Sequence, residues 1–341
     1  MTRFSCQSAA LFIAFGIAVG FAHGAAAQDL PATPGQADES ELLPSPNLRP
    51  SIAPVAAGTG RGSRGAPSSV RAYAEFQIGN YLTAKAIAEP LAKLGDVKAQ
   101  ALLGEIYSQG LGVPVDVDEA ARWFEAAAKG GDRAAQFEFA MLLLAGTGIA
   151  RDETRALNLL KEAADAKLPL AEFNYAQLLL RTSPTSGFAD ALPYFRSAAD
   201  AGIADAQYVM SQLLAAGQGI EKDEVAARKW LRRAAINGFS IAQIEYGIWL
   251  INGRGGDARP KDGFEFLRSA ALRGNPIAVN RVAHLYKDGL GTEPDTEEAA
   301  KWAVIAKRLD NSDPVLDDFF NGLSDEARKA ALEEANRFTT G

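Results

Sequence analysis

The chain has 341 residues, 35 Lys and Arg against 42 Asp and Glu, a formal charge of −7, and one cysteine. An acidic chain without basic runs is a poor nucleic-acid binder. A lone cysteine, Cys6, excludes an internal disulfide framework.

Residues 1–27 read as a secretory signal. Arg3 gives the positive start, and Ala9 to Ala22 is an apolar run of 14 residues, short for a bilayer span. Ala25, Ala26 and Ala27 supply small residues for cleavage before Gln28. The expected product is periplasmic or secreted, with no stable membrane insertion. Cleavage removes Cys6, His23 and the only charge of the stretch, Arg3, so −7 becomes −8.

Residues 28–69 carry Pro31, Pro34, Pro44, Pro46, Pro50, Pro54 and Pro67 and read as a disordered Pro/Gly-rich linker. Residues 70–95 read as an N-terminal helix pair, with Pro90 expected to bend its second helix.

From residue 96 the chain repeats itself. An alanine recurs as Ala99, Ala135, Ala171, Ala206, Ala242 and Ala278, at intervals of 36, 36, 35, 36 and 36 residues. A fixed period of this size marks a helical solenoid. The repeats span 96–131, 132–167, 168–202, 203–238, 239–274 and 275–310. Five residues past each anchor the side chain is small: Gly104, Ala140, Ala176, Ser211, Gly247 and Ala283. Eight past it is large, from Tyr107 to Tyr286. A G-x-G turn such as Gly110/Gly112 or Gly289/Gly291 then ends the first helix. The second helix carries a bulky knob (Trp123, Leu159, Tyr194, Trp230, Phe266, Trp302), read as core, followed by small pairs such as Ala127/Ala128. Residues 311–341 read as a C-terminal capping helix region, with a helix start at Ser324.

The run AQALLGEIYSQGLGV…DEAARWFEAAAKG resembles the Sel-one-like repeat, a longer-looped relative of the tetratricopeptide repeat. The resemblance covers roughly residues 70–310 and implies an all-α, right-handed superhelical solenoid of antiparallel helix pairs. The third repeat departs from it: Arg181 to Gly187 replaces the glycine turn, and the repeat is one residue shorter.

Signs of catalysis are few. Beyond the leader, His284 is the one histidine, which excludes a Cys–His pair and any metal site needing two histidines. Acid pairs such as Glu297/Glu298 and Asp317/Asp318 fall at helix starts, where they complement the dipole. No phosphate-binding or dinucleotide fingerprint is present. The reading is therefore non-enzymatic, with no cofactor, no metal and no catalytic residue.

By analogy with tetratricopeptide repeats, the position two past the anchor lines the concave face. Phe137, Phe173, Tyr208 and Ile244 would form an apolar stripe there, with Gln177 and Gln212 beside it. The alternative is that these four pack against the next repeat. The expected partner is an envelope protein or peptide, and oligomeric state is left open. Periplasmic relatives in this repeat family include repressors of a membrane sensor kinase, so the resemblance implies regulation of an envelope or signalling component. Peptidoglycan or polysaccharide binding, β-lactam hydrolysis and host-protein binding are the rival functions it implies.

Overall fold

The structure is a computed structural model that describes residues 68–182 and 187–338. The leader, the linker up to residue 67 and residues 183–186 of the third-repeat loop lie outside the described residues.

Every regular element among the described residues is a helix. The N-terminal pair is α1 (Ser69–Gln77) and α2 (Tyr81–Lys93). Six pairs follow: α3 (Val97–Gln109) with α4 (Val117–Lys129), α5 (Arg133–Ala145) with α6 (Glu153–Asp165), and α7 (Pro169–Thr182) with α8 (Gly187–Asp200). Next come α9 (Ala204–Ala216) with α10 (Glu224–Ile236), α11 (Ser240–Asn252) with α12 (Pro260–Leu272), and α13 (Pro276–Asp288) with α14 (Thr296–Arg308). The short α15 (Pro314–Asn321) and α16 (Asp325–Arg337) close the chain. Each helix packs mainly on its neighbours in sequence, as a solenoid of helix pairs requires.

The repeat residues explain the helix limits. Aspartates at the starts accept backbone N–H bonds, for example Asp116 from Glu119 and Asp223 from Ala226. Gly110, Gly146, Gly217, Gly253 and Gly289 end the first helices in the left-handed region, φ 65 to 72°. One backbone bond then closes the turn: the carbonyl of the large eight-past residue accepts from the N-cap of the second helix. Asp116 N–H meets Tyr107 O at 3.0 Å, and Asp295 N–H meets Tyr286 O at 2.9 Å.

The small five-past residues are all buried. At Gly104 a Cβ would stand 2.5 Å from the Phe124 ring, so α3 and α4 touch at closest approach there. The second glycine of the turn has a separate task. It lies against the start of the preceding repeat's second helix, and at Gly291 a Cβ would come within 2.2 Å of the Pro260 carbonyl oxygen.

The knobs need correcting. Trp123, Leu159, Tyr194, Trp230 and Phe266 are only half-buried. The fully covered side chain is one residue later: Phe124, Leu160, Phe195, Leu231 and Leu267. The residue after the knob points between its own first helix and the next one, whereas the knob lies at the edge of that seam. Trp302 is the exception. The C-terminal helices cover it, and Phe338 meets its ring edge-on at 5.3 Å. Leu316, Ala331 and Ala335 join the same core, and Arg308 ties α14 to the Ala335 carbonyl at 2.9 Å.

Repeats are joined by polar clamps as well as by apolar contact. The glutamine that follows the anchor donates to the last exposed carbonyls of the preceding second helix: Gln100 to Ala92 at 3.1 Å, Gln207 to Ala199 at 3.1 Å, and Gln243 to Ala235 at 3.0 Å. In the third repeat this position is Glu172, fully buried, bonded by Ser197 Oγ at 2.8 Å and Lys167 Nζ at 3.1 Å. Lys167 holds φ 61° where the neighbouring repeats have Gly131 and Gly202.

Candidate functional site

The first helices α3, α5, α7, α9, α11 and α13 lie side by side and make one face of the solenoid. The apolar stripe anticipated on this face is interior. Phe137, Phe173 and Ile244 are 8%, 9% and 6% exposed. Phe173 meets Phe195 edge-on at 5.9 Å, and Ile244 belongs to the core that runs into α13 and α14. The two-past position therefore seals one repeat against the next, the alternative left open above. Tyr208, Gln177 and Gln212 stay half-buried and reach the surface. Tyr208 packs its ring on Phe239, 5.0 Å between centroids.

Polar side chains that reach the surface sit instead three or six residues past several anchors, among them Glu138, Glu245, Gln177 and Gln212, whereas Leu102 at the first three-past position is buried. At the N-terminal end these are Glu138 on α5 and Glu105 on α3. Burial pushes the Glu138 carboxyl up from 4.5 to about 7, and the negative charge of Glu105 adds to the shift. No hydrogen bond or ion pair reaches Glu138 among the described residues, whereas Glu105 accepts from Gln109.

In the middle, Gln212 Nε2 donates to both carboxylate oxygens of Glu245, at 3.1 and 2.9 Å. Burial raises the Tyr208 hydroxyl above its usual range, and the charge of Glu245 and a hydrogen bond to it push it further. At the C-terminal end, Asp313 joins two elements, α13 and α15. Its Oδ2 accepts from Asn280 at 2.9 Å and lies 2.8 Å from His284 Nε2, while its Oδ1 caps α15 through Val315 and Leu316. Burial alone would raise Asp313; the bonds from His284, Asn280 and Leu316 outweigh it and hold the carboxyl well below its usual range. Ser312, the nearest hydroxyl in sequence, turns away to Asp317 at 3.0 Å. His284 thus serves as a tie between α13 and the cap.

The acid pairs found by sequence also have structural partners. Glu298 accepts from the Trp302 indole at 2.9 Å, and Asp317 from Lys307 at 3.1 Å. No group of three or more His, Cys, Asp or Glu side chains among the described residues is arranged to hold a metal ion. None of the described helices is long and apolar enough to cross a membrane. Sequence reasoning missed Glu138 and Glu245. A carboxylate three past the anchor, where Leu102 and Val209 are apolar, was the signal available.

The Sel1 repeat profile matches residues 97–132, 133–168, 204–239, 240–275 and 276–311. The chain belongs to the Sel1 repeat family. The stretch skipped between the second and third matches holds α7 and α8, the pair with the altered loop. A Sel1 repeat protein from Oxalobacter formigenes is similar in structure, with TM-score 0.62, 25% identity, and coverage of 71% of this chain and 97% of that one. A protective antigen present in uropathogenic Escherichia coli strains, displaying an SLR fold, shares the fold at TM-score 0.53 and 22% identity, over 80% of this chain and 68% of the other. No curated protein matches. Sel1 repeat proteins are generally protein-interaction scaffolds, and the sealed cores and outward polar rows of this chain suit that use.

Proposed function

We propose that this Sel1 repeat protein is an exported, non-catalytic scaffold of the cell envelope. Its first-helix face would hold a segment of a partner protein and so regulate an envelope or signalling component. The observation that carries the reading is Glu138. It is a half-buried carboxyl without a bonded partner among the described residues, beside a second acid, poised to change protonation near neutral pH. A Lys or Arg side chain of a partner would satisfy it and draw its proton off. Gln212 and Glu245, two and three pairs further on, offer further hydrogen bonds along the same face.

Support for export comes from the leader-like residues 1–27. Mass spectrometry of protein from the native host should find an N-terminus at or beside Gln28; an intact Met1 would reject export. For the binding face, partners captured from envelope extract are titrated against the parent and Glu138→Gln. Affinity for the parent should rise from pH 6 to pH 8, because the bound cation needs the ionised acid. The variant should bind at least about tenfold more weakly at pH 8. Equal binding by the two proteins would reject this face.

A further inference from the structure

The second helices carry a bulky side chain at one fixed place. In five of the six repeats it is aromatic (Trp123, Tyr194, Trp230, Phe266 and Trp302), and in the second repeat it is Leu159. The work of the ring is clearest in the third repeat. Tyr194 meets Tyr175 of its own first helix edge-on, 4.9 Å between centroids, and its hydroxyl donates to Asp165, the last residue of α6, at 3.1 Å. The ring thus bridges the wedge between a first helix and the end of the preceding second helix. Phe266 likewise meets Tyr246 edge-on in the fifth repeat, at 5.0 Å.

The wedge of the second repeat is built alike, up to the ring. Phe139 stands for Tyr175, and Lys129, the last residue of α4, stands for Asp165, each at the same distance in sequence from its anchor alanine. The polar joint beside the wedge is kept as well. Gln136 donates to Glu162 at 2.8 Å, as Ser197 donates to Glu172 at 2.8 Å in the third repeat. Leu159 has no ring to carry across from Phe139 to Lys129, and a cavity of about 410 Å³ opens there. Ligand sites span roughly 300–1,000 Å³. The Arg155 guanidinium lies 4.7 Å from the centroid of Phe139 and covers that buried ring. Glu125 Oε1 fixes it at 2.6 Å and also accepts from Lys129 at 3.0 Å. The Arg155 side chain is still 42% exposed, so it offers the cavity a flat cation already held in place. The charges of the lining balance, Glu125 and Glu162 against Lys129 and Arg155. A neutral ring suits such a lining better than an ion does, because its π face is drawn to the guanidinium.

We propose that this cavity receives one aromatic side chain of a partner protein. Its ring would rest on Arg155 and Leu159, in the place that the chain's own ring fills in other repeats. The proposal rests on the scaffold reading above but uses a separate surface, since Glu138 does not line the cavity.

The test is an NMR titration of the isotope-labelled full chain with N-acetyl-tryptophanamide. Half-saturation at about 1 mM is expected for a single side chain. The largest shifts should fall at Ala128, Gly131 and the Arg155 Nε. N-acetyl-leucinamide, which lacks a ring, should bind at least about tenfold more weakly. Leu159→Trp supplies the ring from within, at a half-buried position where other repeats carry one. It should keep or raise the melting temperature and lose at least about tenfold in affinity for the probe. Glu138→Gln should bind the probe as the parent does, whether or not the first-helix face holds a partner. No saturation up to about 20 mM would overturn the proposal. So would equal binding of the leucine amide, shifts centred elsewhere, undiminished binding by a folded Leu159→Trp, or loss of binding in Glu138→Gln. Free tryptophan held below about 10 µM would mark a small-molecule site and overturn it too. If Leu159→Trp does not fold, the shift map and the leucine control decide.

Discussion

Glu138→Gln should make the protein more stable at alkaline pH and leave it unchanged in acid. Burial and the neighbouring Glu105 raise the Glu138 carboxyl from 4.5 to about 7. In the unfolded chain the same group titrates near its ordinary value. Between these two pH values the folded protein keeps a proton that the unfolded chain has released. Stability must then fall as pH rises from about 4.5 to 7, and level off above. Each tenfold change in proton affinity is worth about 1.4 kcal/mol, so the full move sets a ceiling of about 3 kcal/mol. The side chain retains some contact with water, which reduces the expected penalty to about 1–2 kcal/mol. Glutamine keeps the shape of the protonated acid and does not titrate. Urea denaturation followed at the helical circular-dichroism band should show the variant about 1–2 kcal/mol more stable at pH 8.5 and equal to the parent near pH 4. The urea slopes should match, since the buried surface is the same. A variant less stable at pH 8.5, or a difference that does not vary with pH, would refute the argument.

Other substitutions probe the packing. Leu231→Ala, at a fully buried side chain, should cost about 3 kcal/mol in chemical denaturation, while the half-exposed Trp230→Ala should cost about 1–2, including the Arg233 guanidinium stacked 4.6 Å above its ring. Ser197→Ala removes the hydroxyl 2.8 Å from the buried Glu172 and should cost about 1–3 kcal/mol by thermal melting. Gly291→Ala would drive a methyl group into the Pro260 carbonyl in a left-handed backbone, and a loss of about 2 kcal/mol or more is expected.

The period of 36 residues carried the architecture because it is imposed by stacking, and stacking repeats the same demands at the same places. Small residues such as Gly104 and Ala140 were legible for that reason: at Gly104 even a Cβ would stand 2.5 Å from the Phe124 ring. The direction of a side chain within the helix was less legible. Trp123 and Phe124 are adjacent and both large, and a turn of 100° decides which is covered. Size favoured the tryptophan, but the seam between helices takes Phe124. Phe137, Phe173 and Ile244 failed as a surface for a related reason. An apolar residue on a first helix can face the groove or the next repeat, and spacing along one helix does not say how near that repeat lies. The Gln100 clamp was visible as a recurring letter, but its role needed the position of Ala92, eight residues earlier, across a turn. Glu138 was hidden because only Glu245 shares its acid among the six three-past residues, and a pattern read by recurrence passes over so sparse a signal.

The joint between repeats has an evolutionary consequence. The glutamine that clamps α9 to α8 through Ala199 and the one that clamps α11 to α10 through Ala235 make the same bond to equivalent carbonyls. Removing residues 204–239 as a block would bring Gln243 to the Ala199 carbonyl and leave every kind of contact in place. Removing half as many would set a first helix where a second helix belongs and orphan both. Recombination can therefore shorten or lengthen this chain in whole steps of one helix pair, altering the reach of the molecule while its joints remain unchanged.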